Sequence, residues 1–528
     1  MSKSAHPLLK KYFSAGCGSI PTQPRICLVR TNSIAEVLAG WPLITELKQI
    51  FPDCHITTIV NEKSEAEAIV TADARIDHVI KLQSTKLSSL KAQLNKYSFD
   101  FVIAVFVAET PKRQPQHLLT LLLISGRKWV CFNNQWHAFI SKTGLILLIK
   151  AIFFFLQKNV GKALRKLQKP QIKNGNLDIS DKNIKKILWL RPDFLGDVVL
   201  CLPTITALKQ HYPEAEIDAV VQKSTADIIS NTPELTKLWK IDFPEFSNTP
   251  TPRRELDQIV QQMQERQYDL AIDLLGNDSA RELAYRLKVP YRVGPSAYAN
   301  EQISFDSSHL LTHAISPPHL NQHYSYSRLQ LLHTIGLPKK EIPPRLYANL
   351  TSKDKILKYV HRIGANKSFA VIHTRTNLAA KTWNDSHFAK VADYLIERYD
   401  LEVLFTGSPA DKQSIDDLLP LVHNPQRVHN TAGEFSLNDL IALFQQAKIM
   451  VTVDTGPMHI AAAVQTPIVA LLLPYFKHCY PFGQMDSTLI PDEPSISSCF
   501  DNKHFSGKLL ECITPQQVFE AIDKKMAQ

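Results

Sequence analysis

The chain lacks most of the short signatures that would settle its chemistry at once. Its eight cysteines, at positions 17, 27, 54, 131, 201, 479, 499 and 512, include no Cys-x-x-Cys pair. Several, such as Cys27 and Cys201, sit in apolar segments, so reduced core thiols are expected rather than a disulfide framework or a zinc site. No Gly-Lys-Ser/Thr phosphate loop and no Gly-x-Ser-x-Gly elbow occurs. "GCGSIP" at 16–21 has neither the third glycine nor the preceding strand of a dinucleotide fingerprint. His423 and His429 show no metal-ligand spacing and read as surface or core histidines. The opening residues hold no long apolar stretch, which argues against a secretory signal peptide. The most apolar segment, "GLILLIKAIFFFL" at 144–156, is too short for a comfortable membrane crossing, and Lys150 interrupts it.

What is present is size and positive charge. A chain of 528 residues with 44% hydrophobic content divides into two or three globular domains, each able to bury a core. The net charge of +10 and pI of about 9.0 point to an anionic partner: a membrane surface, a phosphorylated glycan or nucleic acid. Between 142 and 169 there are seven basic residues and no acidic ones. Apolar bulk beside that charge fits a helix lying on an anionic membrane face. A buried helix joining two domains, with a solvated basic tail, fits the same residues.

The chain also repeats itself. Residues 26–60, "ICLVRTNSIAEVLAGWPLITELKQIFPDCHITTIV", align without a gap on 187–221, "ILWLRPDFLGDVVLCLPTITALKQHYPEAEIDAVV". About a dozen of the 35 pairs are identical, among them Arg30/Arg191, Pro42/Pro203, Lys48/Lys209 and Pro52/Pro213. "YSFDFVIAVF" from Tyr97 and "RQYDLAIDLLG" from Arg266 correspond further on. Two copies of one α/β domain follow. A third region, after "LPKKEIPPRLYANL", alternates strands and helices and so implies another parallel sheet. The expected domains are 1–175, 176–342 and 343–528.

Candidate chemistry lies where apolar strands end. "KILWL" is a strand, "TITALKQHYP" a helix, and Gly196-Asp197 falls in the passage between them. A loop beyond the carboxyl end of a parallel strand is where open α/β sheets bind ligands, glycine allows close approach, and the carboxylate can accept a proton. A turn glycine followed by a helix-terminal carboxylate accounts for the same pair. "VTVDTGPMHIAAAV" at 451–464 reads as strand, turn and helix start, with Thr455 or Gly456 as cap and Pro457 in the first turn. Such a start suits a phosphate or diphosphate, and an ordinary capped turn fits as well. "VIHTRTNLAAKTW" at 371–383 offers Thr374, Arg375, Thr376 and Lys381, either to diphosphate oxygens or to solvent. "FTGSPADK" at 405–412 ends a third strand at Gly407.

Together, these motifs and "AGEFSLNDLIALF" resemble glycosyltransferase family 9, the ADP-heptose:lipopolysaccharide heptosyltransferases, over about residues 185–525. The resemblance implies an α/β chain with a GT-B-type pair of Rossmann-like domains, here preceded by a third, degenerate one. It implies sugar transfer with inversion from a nucleotide-sugar to a lipopolysaccharide core or other anionic glycolipid, with no cofactor, no essential metal and no nucleic acid. Asp197 would be the general base, with Arg191 and Gly196 on the acceptor side. Lys381 would stabilise the departing diphosphate. Thr374, Arg375, Thr376, Gly407, Ser408, Phe435, Ser436, Asp454, Thr455, Gly456, Pro457, Met458 and His459 would bind the donor. Asp411 would stand in for the acidic ribose contact that Pro409 replaces. In the first copy Ala35 and Glu36 stand where the second has Gly196 and Asp197, and Glu36 is expected not to be catalytic. The enzyme is expected in the cytoplasm, peripheral on the inner membrane. The rival readings are a non-catalytic scaffold and a transferase using another nucleotide sugar.

Overall fold

The computed structural model describes residues 23–29, 44, 47–48, 52–61, 75–82, 98–106, 125–133, 138–141, 173–174 and 177–528, less 245, 248, 277, 296–309, 316–321, 365–367, 377–380 and 492–508. Ala35, Glu36 and the basic segment 142–169 lie outside the described residues.

Three sheets are present. The first holds β1 (Arg25–Val29), β2 (His55–Asn61), β3 (His78–Leu82), β4 (Ser98–Phe106), β5 (Ser125–Asn133) and β6 (Ala138–Ser141), in the order β3-β2-β1-β4-β5-β6. The second holds β7 (Lys173–Asn174), β8 (Lys186–Leu190), β9 (Glu216–Val221), β10 (Lys237–Lys240), β11 (Leu270–Asp273), β12 (Tyr291–Pro295) and β13 (His313–Ile315), in the order β10-β9-β8-β11-β12-β13-β7. The third holds β14 (Phe369–His373), β15 (Glu402–Thr406), β16 (Val428–Asn430), β17 (Ile449–Val453), β18 (Ile468–Leu471) and β19 (Thr488–Leu489), in the order β16-β15-β14-β17-β18-β19. All pairings are parallel except β5 with β6. One winding therefore recurs three times, and β1 and β2 begin 161 residues before β8 and β9, at the offset of the sequence repeat. The first sheet belongs to one compact unit, and the other two share a second.

Parallel strands covered on both faces have to be apolar throughout. β14 and β17 are buried at every residue, as is β8 from Ile187 to Leu190. In the third sheet, and in the second after its edge strand β7, the chain starts at the centre, at β14 and β8, and winds outward both ways. The crevice beyond the carboxyl ends of the central strands is the topological switch point. The loops after β8, β14 and β17 all open there.

Helix α1 (Leu195–His211) begins nine residues earlier than the sequence suggests and carries Pro203 inside it. The apolar run "VVLCLP" is thus buried helix, not loop. Among the described residues, no helix is long and apolar enough to cross a membrane. Cys27, Cys54, Cys201 and Cys479 are free thiols, but Cys512 is disulfide-bonded, which corrects the expectation of reduced cysteines at that position.

A buried polar network ties the second sheet together. Asp218 on β9 has no exposure and accepts hydrogen bonds from Arg266 Nε at 2.9 Å, the Tyr268 hydroxyl at 2.6 Å and the Trp239 indole at 3.3 Å. Removing the carboxylate leaves a cation and two donors without their shared acceptor. Asp218→Ala should lower unfolding stability by about 3–5 kcal/mol, measured by urea denaturation.

Two buried histidines add a pH dependence. Helix α2 (Tyr324–His333) is capped by His323, whose Nδ1 accepts from the Ser325 amide while Nε2 faces the Tyr480 carbonyl at 2.9 Å. His373 Nδ1 pairs with the Thr406 hydroxyl at 3.0 Å. Burial lowers both rings from 6.5 to about 4. The unfolded chain then binds more protons than the folded one between those values. Stability is complete above pH 6.5 and is lost as pH falls toward 4. Each ring should contribute about 1–3 kcal/mol to that loss, and His323→Asn should flatten the slope of stability against pH between 7 and 5.

Candidate active site

β8 delivers Arg191 to the switch point, and the chain turns through Asp193 and Phe194 into α1. Arg191 has no exposed surface. Its Nη1 donates to the Leu274 carbonyl at 2.8 Å, at the end of β11. Its Nη2 reaches Asp193 Oδ2 at 2.6 Å, Asp197 Oδ1 at 3.1 Å and the Tyr324 hydroxyl at 3.0 Å. The side chain of Asp197 is 34% exposed, so the carboxylate that Arg191 holds also faces outward. Buried Arg328, on α2, donates to the same tyrosine hydroxyl. Burial raises the Asp193 carboxyl, and the Arg191 guanidinium beside it pulls it back down. A guanidinium this deep cannot touch an acceptor directly. Arg191 holds the loop and Asp197 from beneath.

The third sheet supplies the opposite wall. Asp454 follows β17, and helix α3 (Gly456–Ala463) starts two residues later. Thr455 occupies the cap position, but its side chain makes no capping bond. The first-turn N–H groups of α3 therefore have no intrahelical or capping partner. Lys381 Nζ lies 2.5 Å from Asp454 Oδ2, and both side chains are mostly buried. Around them, Thr374 Oγ1, Thr455 Oγ1 and His459 Nδ1 are buried atoms without hydrogen-bond partners. Burial lowers the His459 pKa despite Asp454 and Asp197, so the ring is neutral near pH 7. Unpaired buried polar atoms are costly, and here three lie on the loop after β14 and at the start of α3.

The two walls meet at a pair of glycines. An added Cβ at Gly196 would lie 2.7 Å from His459 Cδ2, and one at Gly456 would lie 3.0 Å from Leu195 Cδ2. Gly196 is in the first turn of α1 without a positive φ, so it is needed for room and not for backbone freedom. The close approach that the sequence assigned to a substrate is made by His459.

Several residues expected to bind the donor are committed to structure. Met458 has no exposure and packs in the core. Pro457 lies in the first turn of α3. Ser436 caps α4-forming residues Leu437–Gln446 through a capping box with Asp439. Phe435 packs edge-on against Tyr359 at 5.0 Å. Arg375 is bidentate to Asp385, at 2.7 and 3.1 Å, and also binds Ser414. Ser408 donates its amide and its hydroxyl to Asp411 Oδ2, at 2.8 and 2.6 Å, and an added Cβ at Gly407 would meet Asp411 Cβ at 2.9 Å. Thr376 ends the described part of its loop. Sequence reading missed Asp193, Tyr324 and Arg328; only the adjacency of Asp193 to Arg191 offered a signal. Away from this site, Asp393, Glu397 and His423 bring ligand atoms within 4.8 Å of one another, a proximity that the sequence spacing did not reveal.

Two Rossmann-like sheets facing one another across a nucleotide-type helix start define a GT-B-type fold. The solved glycosyltransferase family 9 structure from Veillonella parvula shares it, with a TM-score of 0.57 at 20% identity over 67% of this chain and 98% of that one. So does the Escherichia coli ADP-heptose lipopolysaccharide heptosyltransferase II, with a TM-score of 0.52 at 22% identity over 65% and 99%. The family model for glycosyltransferase family 9 (heptosyltransferase) matches residues 257–475. Lipopolysaccharide heptosyltransferase 3 of Escherichia coli K12 is 28% identical over 280 residues, 52% of this chain and 79% of that protein. Lipopolysaccharide heptosyltransferase 2 of Salmonella typhimurium LT2 is 26% identical over 294 residues, 55% and 83% respectively. The chain is a glycosyltransferase, and its residues 257–475 are similar to glycosyltransferase family 9.

The glycine contact generates a direct test. Gly196→Ala forces His459 or α1 to move, and overpacking of this kind costs about 1–3 kcal/mol. Urea unfolding should register that loss. Gly364→Ala, a glycine with open space around it but φ of +74°, gives a strain-only comparison on the surface.

Proposed function

We propose that this enzyme transfers heptose from ADP-heptose, with inversion, to a lipopolysaccharide core or related anionic surface glycan. The observation that carries this reading is the set of unpartnered buried atoms Thr374 Oγ1, Thr455 Oγ1 and His459 Nδ1 beside Lys381 and the start of α3. Polar atoms and a cation at the carboxyl ends of the neighbouring strands β14 and β17 suit a diphosphate. The relatives named above, among them an ADP-heptose lipopolysaccharide heptosyltransferase, support this choice of donor and acceptor.

In this mechanism Asp197 takes the proton of the acceptor hydroxyl. The acceptor oxygen bonds the anomeric carbon from one face while the bond to the diphosphate oxygen breaks on the other. The electron pair leaves with the diphosphate, and Lys381 and the α3 amides stabilise it. Asp454 releases Lys381 to the diphosphate and turns to sugar hydroxyls. Neutral His459 offers Nδ1 to the donor without competing for the proton that Asp197 takes. No residue of this scheme calls for a metal or organic cofactor. The basic segment 142–169 holds the enzyme against the cytoplasmic face of the inner membrane, and salt should weaken its binding to anionic vesicles.

Heptose transfer from ADP-heptose to a heptose-deficient lipopolysaccharide core tests the reading. Asp197→Ala should reduce turnover by about 10²–10⁴-fold with ADP-heptose affinity retained, and Lys381→Ala should lower both. Transfer by the Asp197 variant at the wild-type rate would remove it as the base. Failure of the wild-type protein to bind ADP-heptose would overturn the donor assignment.

A further inference from the structure

Asp197 is not held alone. Arg191 Nη2 is shared between it, at 3.1 Å, and Asp193, at 2.6 Å. Asp193 is the nearer partner, it is 2% exposed, and its other oxygen, Oδ1, is buried with no hydrogen-bond partner. Its main chain is fixed too, since Gln222 Nε2 donates to the Asp193 carbonyl at 2.9 Å. An aspartate set this deep, beneath the outward-facing Asp197 and with half its carboxylate unused, is poorly explained as a mere anchor. Arg191 already has the Leu274 carbonyl and the Tyr324 hydroxyl as neutral anchors.

We propose that Asp193 is a positioning residue that sets the basicity of Asp197 by neutralising Arg191. A base bonded to an uncompensated guanidinium gives up its affinity for protons, and a weak base removes a hydroxyl proton slowly. The 2.6 Å contact with Arg191 favours ionised Asp193, so the buried pair is neutral overall, and Asp197 is held in place by a hydrogen bond without being quenched by a full positive charge. The other groups facing Asp197 do not replace this compensation. Cys201 on α1 is a buried thiol. From α2 come Tyr324, a buried phenol, and Arg328, a second cation that makes the need for a compensating anion greater. From the third sheet come neutral His459, Asp454 paired with Lys381, and Cys479, another buried thiol.

The inference rests on Asp197 being the base, so its test has one readout with turnover and one without. Asp193→Asn keeps the shape and removes the charge. The acid limb of kcat/KM for heptose transfer should move to lower pH and the plateau should fall about tenfold, with KM for ADP-heptose unchanged. Adding Arg191→Met to this variant removes the cation as well and should return the acid limb to the wild-type position or above it. A residue that merely braces the fold would give no such reversal. Independently of any substrate, the Asp197 carboxylate band in isotope-edited infrared spectra, assigned by its loss in Asp197→Asn, should persist to lower pH in Asp193→Asn. An unchanged band and an unchanged acid limb in folded Asp193→Asn protein would overturn the proposal. If transfer is absent in the wild type but the band shifts, the coupling stands and the assigned reaction fails.

Discussion

A guanidinium with no exposed surface has to be neutralised and bonded where it stands, and the wall that carries Asp197 is organised around that demand. Arg191 leaves the central strand β8 and takes its partners from the β8 loop, the first turn of α1, the end of β11 and helix α2. Three segments distant in sequence, around residues 193–197, 274 and 324, are thereby tied to one cation. An isolated buried charge costs several kcal/mol, whereas this one is surrounded by two carboxylates, a carbonyl and a phenol. The geometry of Asp197 follows from the burial of Arg191, because the aspartate sits in a rigid first helical turn on one side and on a rigid strand-end cation on the other.

The second constraint is contact. The catalytic proposal needs the proton acceptor and the leaving group to approach one sugar from opposite sides, and proximity of that kind accounts for much of a transferase's rate. Two helix starts, α1 from the second sheet and α3 from the third, abut through Gly196 and Gly456. Neither glycine is needed for an unusual backbone angle. Each removes the one carbon that would keep the helix starts apart. His459 fills the space left by Gly196, so its ring lies between the carboxylate of one wall and the Lys381–Asp454 pair of the other.

Much of this was legible in the sequence, and for identifiable reasons. Fully apolar strands such as "FAVIH" and "IMVTV" announce parallel sheets, and the amphipathic run "DSHFAKVADYLIERY" spans the observed helix Asp385–Tyr399. The repeat between 26–60 and 187–221 anticipated a shared winding. The start of α1 was misread because "VVLCLP" is apolar on all sides and Pro203 resembles a boundary, whereas tertiary burial on both faces carries the helix through it. Local pattern could not reveal which polar residues are spent. Arg375 looks like a diphosphate ligand until Asp385 and Ser414 close on it, and Ser436 looks like a donor contact until its capping box is seen. Asp193 was invisible for the opposite reason: its role depends on the burial of Arg191, and no spacing reports burial.

The ion pair between Lys381 and Asp454 bears on how the proposed donor enters. A lysine expected to meet a diphosphate is here bonded to a carboxylate at 2.5 Å, in mostly buried surroundings. That arrangement avoids leaving an unpaired cation in a low-dielectric wall. A diphosphate brings more charge than one carboxylate and reaches the α3 amides at the same time, so the exchange of partners is downhill when the whole donor arrives. A lone phosphate or a neutral sugar replaces the carboxylate less well. On the proposed function, the pair therefore acts as a selectivity element: it holds the wall closed to partial ligands and opens to one that satisfies Lys381, the helix start and the orphaned Thr374, Thr455 and His459 together. Released from the lysine, Asp454 has two free oxygens at the point where sugar hydroxyls would lie, so breaking one interaction prepares the next.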